Sequence, residues 1–162
     1  YGEQALPHLA KLIDHLKFDY YQTHLAFKGI GPACLPALND MLDSGLEQWQ
    51  LNAARALKSI KFSSRNSRLY HWMVHGNDRV KAACAEAIWE CYEDGKIAKY
   101  LIEILNGEDS QAIRSAGRLI SRMGVAAAYV EADLQEMLKQ QPSRSGASYI
   151  RRALSSIARE RQ

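Results

Sequence analysis

The feature that most narrows what this chain can fold into is an internal repeat. The segment Ala26-Phe27-Lys28-Gly29-Ile30 recurs as Ala56-Leu57-Lys58-Ser59-Ile60, Ala87-Ile88-Trp89-Glu90-Cys91, Leu119-Ile120-Ser121-Arg122-Met123 and Ala153-Leu154-Ser155-Ser156-Ile157. The last apolar residue of each copy falls at 30, 60, 91, 123 and 157, so the copies are 30 to 34 residues apart. A period in that range marks stacked supersecondary units, each too small to bury its own apolar face. The units read as 2–30, 31–61, 62–92, 93–124 and 125–162 of one domain.

Within each unit no segment alternates apolar and polar residues as a half-buried strand would. Two helices per unit are expected instead. The first helices fall over 3–15, 32–43, 65–75, 95–105 and 126–140, and the second over 19–29, 46–60, 78–92, 109–123 and 146–160. Local punctuation sets these limits. Gly29 and Gly31 close one unit, Ser44-Gly45 separates two helices, and Gly76-Asn77-Asp78 ends one helix and caps the next. Asp109-Ser110 offers another N-cap, and Gln141-Pro142-Ser143 divides the last pair. Small residues crowd the second helices, notably Ala53, Ala54 and Ala56, then Ala82, Ala83, Ala85 and Ala87, then Ala116 and Gly117. They allow neighbouring helix axes to approach closely. The fold class expected is all-α, an α-solenoid of about five stacked antiparallel helix pairs.

The pattern resembles HEAT repeats of the short bacterial type. Ala5-Leu6-Pro7-His8-Leu9 and Cys34-Leu35-Pro36-Ala37-Leu38 are similar to that family's first helix. Asp78-Arg79-Val80-Lys81-Ala82-Ala83, and Asp109 through Ile113-Arg114-Ser115-Ala116, resemble its second, and Gly29-Ile30-Gly31-Pro32 its closing turn. The third unit departs from it, with Leu69-Tyr70-His71-Trp72 and no proline, as does the fifth around Pro142. The signatures of tetratricopeptide and ankyrin units do not occur. The resemblance implies a curved stack whose second helices line a concave binding surface.

Composition places the chain among ordinary globular proteins: at 47% hydrophobic residues, 24% charged and only 4 Pro it is neither disordered nor collagen-like. No run of 18 uncharged apolar residues and no leader pattern occurs, so a cytoplasmic protein without a membrane partner is expected. The chain starts without methionine and enters a repeat at Gly2-Glu3, which predicts a segment of a longer protein or stack. Leu6, Leu9, Leu12 and Ile13 would then face a preceding unit.

Catalytic chemistry finds little purchase. His71 and His75 have the i, i+4 spacing of a two-histidine metal site but lack a third ligand nearby, and the His-Glu pairs of HEAT-like hydroxylases are absent. Cys84 and Cys91 lie in an apolar run beside Glu86, Glu90, Glu93 and Asp94, a setting for core thiols rather than reactive ones. No phosphate-cradling loop or nucleophile elbow is present, so no enzyme activity and no cofactor are expected. Of the tryptophans, Trp72 and Trp89 read as core residues and Trp49 as an exposed aromatic anchor.

Charge is more informative than its net value of +3. Residues 55–81 carry seven basic side chains and one acidic, 82–109 two and seven, and 110–162 nine and four. Arg114, Arg118 and Arg122 step by four along one helix face, and Arg151, Arg152, Arg159 and Arg161 follow in the next unit. Arg114 and Lys81 are expected to pair with Asp78 or Asp109 of neighbouring units. Arg118, Arg122, Arg151 and Arg152 have fewer carboxylates within reach. Under the HEAT resemblance, Arg55, Lys58, Arg114, Arg118, Arg122, Arg151, Arg152 and Trp49 would form a concave basic stripe. The function expected is a non-catalytic scaffold holding a protein or peptide, acidic where it meets the stripe. Alternatives from the same family are a nucleic-acid-binding, glycosylase-like protein and a HEAT-like lyase or chaperone subunit.

Overall fold

The computed structural model describes residues 9–18, 26–60, 65–140 and 144–160. Among them the chain is helical, with short turns and no strand. The helices are α1 (Leu9–Phe18), α2 (26–30), α3 (Leu35–Leu42), α4 (Glu47–Ile60), α5 (Ser67–His75), α6 (Asp78–Tyr92), α7 (Ala98–Leu105), α8 (Ser110–Met123), α9 (Glu131–Lys139) and α10 (Arg144–Arg159). The Pro7 motif, most of the second helix expected over 19–29, the Pro142 junction and Arg161 lie outside the described residues. Three of the expected first helices begin differently from the reading above: Gly31–Cys34, Gly95–Ile97 and Gly124–Val130 are 3₁₀ turns leading into α3, α7 and α9.

The chain forms two compact units. One contains residues 1–75 and 83–93, the other 76–82 and 94–162, so α6 belongs to the second unit up to Ala82 and to the first from Ala83 onward. In the first unit α3 packs on α4 and on α5, and α1 on α4. Its core holds Phe27, Leu38, Leu42, Leu57, Leu69 and Ile88, all fully buried. Leu12 and Ile13 of α1 are half-buried. The alanines of α4 sit where close packing needs them, with Ala53, Ala54 and Ala56 all at 0% exposure. Gln50 and Asn52, the buried polar residues among those described, are both bonded. Gln50 Nε2 donates to the Leu42 carbonyl at 2.8 Å, satisfying an acceptor that the end of α3 leaves open. Asn52 accepts from Gln48 Nε2 at 3.1 Å.

In the second unit α7 and α9 each pack near α8 or α10, and α10 lies along α8. Ala112, Ile113, Ala116, Leu119, Ile120 and Met123 make one buried stripe on α8, and Ile150, Ala153 and Ile157 make another on α10. Fully burying an isoleucine contributes roughly 1.5–3 kcal/mol, so these stripes supply most of the drive to dock α10. The closest approach is at Gly117, where a Cβ would run into the Cβ and ring of Tyr149. Ser156 Oγ donates to the Ser121 carbonyl at 2.7 Å. The two contacts advance together along both chains, so α8 and α10 run in the same direction. At the end of α8 the chain turns through Gly124 (φ +51°), beside Glu160, whose carboxylate accepts the Val125 N–H at 2.8 Å.

A glycine inside a helix ordinarily costs about 1 kcal/mol relative to alanine. At Gly117 that preference is reversed by Tyr149. Gly117→Ala is expected to lower stability by about 1–3 kcal/mol, the usual cost of overpacking. Gly29→Ala, on α2 with no atom of the described residues within 4 Å of an added Cβ, is expected to leave stability unchanged or raise it by up to about 1 kcal/mol. Thermal unfolding followed by far-UV circular dichroism compares the two, and equal effects would show that the α8–α10 contact does not require glycine.

Candidate binding face

The residues singled out from sequence divide between the two units. Trp49, Arg55 and Lys58 sit on α4 of the first; Arg114, Arg118, Arg122, Arg151 and Arg152 sit on α8 and α10 of the second. Each group is described within its own unit.

In the first unit two of the three differ from expectation. Trp49 is half-buried, because counting four and seven residues on from it reaches Ala53 and Ala56, the fully buried line of α4. The exposed apolar side chain at this corner is Leu46, at 50%. Lys58 is engaged, its Nζ lying 3.4 Å from Glu86 Oε1. Arg55 is exposed. Trp72 and Trp89 are half-buried rather than core. Trp72 donates from Nε1 to Asp43 Oδ1 at 2.9 Å while Arg68 pairs with Asp43 Oδ2. Burial opposes the Asp43 carboxylate, but the bonds from Arg68 and Trp72 outweigh it and hold its pKa below the ordinary value.

His71 and His75 are exposed, with ring centroids 4.7 Å apart, and among the described residues no group of three or more His, Cys, Asp and Glu is placed to hold a metal. Cys84 is buried, and burial raises its pKa. Burial also pushes the Cys34 thiol up to about 11, and its Sγ donates to the Gly31 carbonyl at 2.9 Å. Cys91, expected in the core, is only half-buried.

In the second unit the arginines come together. The buried stripe of α8 leaves Arg114, Ser115, Arg118 and Arg122 exposed on the far side. On α10 the same division exposes Ser148, Arg151, Arg152, Ser155 and Arg159. Arg114 precedes Gly117 by three residues and Arg118 follows it directly, while Arg152 stands one turn beyond Tyr149. The Gly117–Tyr149 contact therefore brings arginines of two helices to one seam. The Arg152 guanidinium lies 5.9 Å from the Tyr149 ring centroid. Arg122 has a partner of its own. Arg114, Arg118 and Arg151 make no ion pair among the described residues.

Neither α8 nor α10 contains an acidic residue. The carboxylates of this unit lie elsewhere, on α7 (Glu103) and α9 (Glu131, Asp133, Glu136) and at the helix ends. Asp109 caps α8, accepting the Gln111 and Ala112 N–H groups at 2.8 Å each. Its ion-pair partner is Arg79, with Nε 2.7 Å from Oδ2, and not Lys81 or Arg114 as the repeat alignment suggested. Arg79 sits in the first turn of α6 and reaches the cap thirty residues on, whereas Arg114 points outward from the turn beyond it. The Ala112 N–H, followed by Arg79, keeps the Asp109 pKa below its ordinary value despite some burial.

Comparison with known protein families, curated proteins and solved structures finds no match.

Because Asp109 titrates lower in the folded protein than in the unfolded chain, its contribution is complete above about pH 4 and is lost as the pH falls through the folded value. Asp109→Ala is expected to cost about 1 kcal/mol at pH 7, as loss of an N-cap does. Asp109→Asn keeps the cap acceptor and should lose less. Chemical denaturation at pH 7 and pH 3 measures this; a wild-type advantage over Asp109→Ala that does not shrink at pH 3 would rule out the ionised cap as its source.

Proposed function

We propose that this chain is a HEAT-like α-solenoid with a non-catalytic role, holding an acidic protein segment on the arginine face of α8 and α10. The observation that carries the reading is that face: exposed arginines from two parallel helices, with no carboxylate on either helix. A patch of one sign, not neutralised from within, attracts and orients an oppositely charged partner. Arginine rather than lysine suits the role, because its planar fork binds a carboxylate through two parallel hydrogen bonds. The solenoid reading is supported by the 30-to-34-residue period and by α8 and α10, equivalent helices of successive units that pack side by side in the same direction. Among the described residues no helix is long and apolar enough to cross a membrane.

Fluorescence anisotropy with labelled polyglutamate tests the reading. Binding is expected to weaken as salt rises, since exposed charges are screened within about 8 Å at physiological ionic strength. Replacing Arg114, Arg118 and Arg152 together by Glu is expected to reduce affinity about tenfold or more, a change of about 1.4 kcal/mol or more, with unchanged helicity by circular dichroism. Undiminished binding by the triple variant would remove this face as the site.

A further inference from the structure

The chemistry around the arginines narrows the partner further. We infer that the face takes an extended, strongly acidic segment without apolar anchors, its carboxylates at every second residue. This rests on the reading that the face binds an acidic partner. The large apolar side chains exposed among the described residues are Leu46, Val74, Val125 and Tyr129, and none lies on α8 or α10. Between the arginines the exposed residues are Ser115, Ser148 and Ser155. An amphipathic helix docks by burying an apolar stripe in an apolar groove, and this face offers none. It also lacks an open aromatic platform on which single-stranded bases would stack, since Tyr149 is half-buried with Arg152 beside its ring.

Spacing supplies the register. Arg114 and Arg118, four residues apart, are separated by about 6 Å along the axis of α8. An extended chain returns a side chain to the same face every second residue, after about 6.6 Å. Acidic residues at alternate positions therefore all face the arginines in step. A contiguous acidic block of the same size turns half its carboxylates to solvent, where they gain nothing.

Three fluorescent peptides with the same number of Glu residues decide the matter. In one, Glu alternates with Ser. In the second, of identical composition, the Glu residues are contiguous. In the third they occupy one face of an amphipathic helix with Leu opposite. Each is titrated with the whole chain at low salt, alongside a short DNA duplex. The alternating peptide is expected to bind about threefold or more tighter than either of the other two, the gain from one or two additional exposed ion pairs. Arg114→Gln with Arg118→Gln is expected to abolish that preference; both side chains are exposed, and circular dichroism checks that the fold is retained. Equal affinity for the contiguous peptide, or tighter binding of the helix, overturns the extended register while leaving an acidic partner in place. Tighter binding of the duplex replaces the acidic segment by a phosphate backbone. Failure of all three peptides to bind overturns the underlying reading as well.

Discussion

The close approach of α10 to α8 at Gly117 governs the second unit. Each of these helices has one buried stripe, and neither can shield it alone, so they are held where small residues let their axes converge. The convergence places Tyr149 against bare backbone and leaves no room for a Cβ at Gly117. With the buried stripes turned inward, geometry leaves the opposite arcs of both helices to solvent, side by side. Those arcs carry the arginines. An arginine-bearing face shared by two helices is thus a by-product of core packing.

Electrostatics in this protein is divided between closure and display. Carboxylates that matter to the fold sit at helix ends, where unpaired backbone groups need partners. Asp109 accepts two backbone N–H groups and an arginine, and Glu160 takes the Val125 N–H where α8 gives way to the next 3₁₀ turn. Asp43 gathers Arg68 and Trp72 onto the end of α3. Tyr129 performs the same task without charge, its hydroxyl donating to the Lys96 carbonyl at 2.7 Å and accepting the Lys99 N–H at 3.2 Å. Acidic groups so used leave Arg114, Arg118 and Arg151 without an ion pair among the described residues, which is the condition for a charged surface to act at a distance.

Much of the helical layout was legible in the sequence, because period and punctuation are local. Helix α6 spans 78–92 as read, and α4 and α8 start one residue later than read. The 3₁₀ entries to α3, α7 and α9 were not legible: 3₁₀ and α turns share the same apolar spacing over so few residues. Individual side-chain roles were harder still. Trp49 reads as an exposed anchor from its place in the sequence, yet it continues the line of Ala53 and Ala56 and is half-buried. Aligning the repeats offers Asp78 or Asp109 to Arg114 and Lys81, whereas Asp109 pairs with Arg79, because alignment gives position along the chain and not reach through space. Gln50, which satisfies the end of α3, carried no signal, since a buried glutamine differs from a surface one only in its neighbours.

The sequence by itself determined the repeat, the helical class and the charge content of each helix, since these follow from residue order and from propensities acting over a few residues. Tertiary structure alone decided which arginine-bearing helices lie side by side, which lysine is consumed in a pair and how far Trp49 is buried. Those outcomes depend on contacts between residues some thirty positions apart, such as Gly117 with Tyr149 and Arg79 with Asp109. Such contacts exist only once the apolar stripes have fixed how one helix lies on the next.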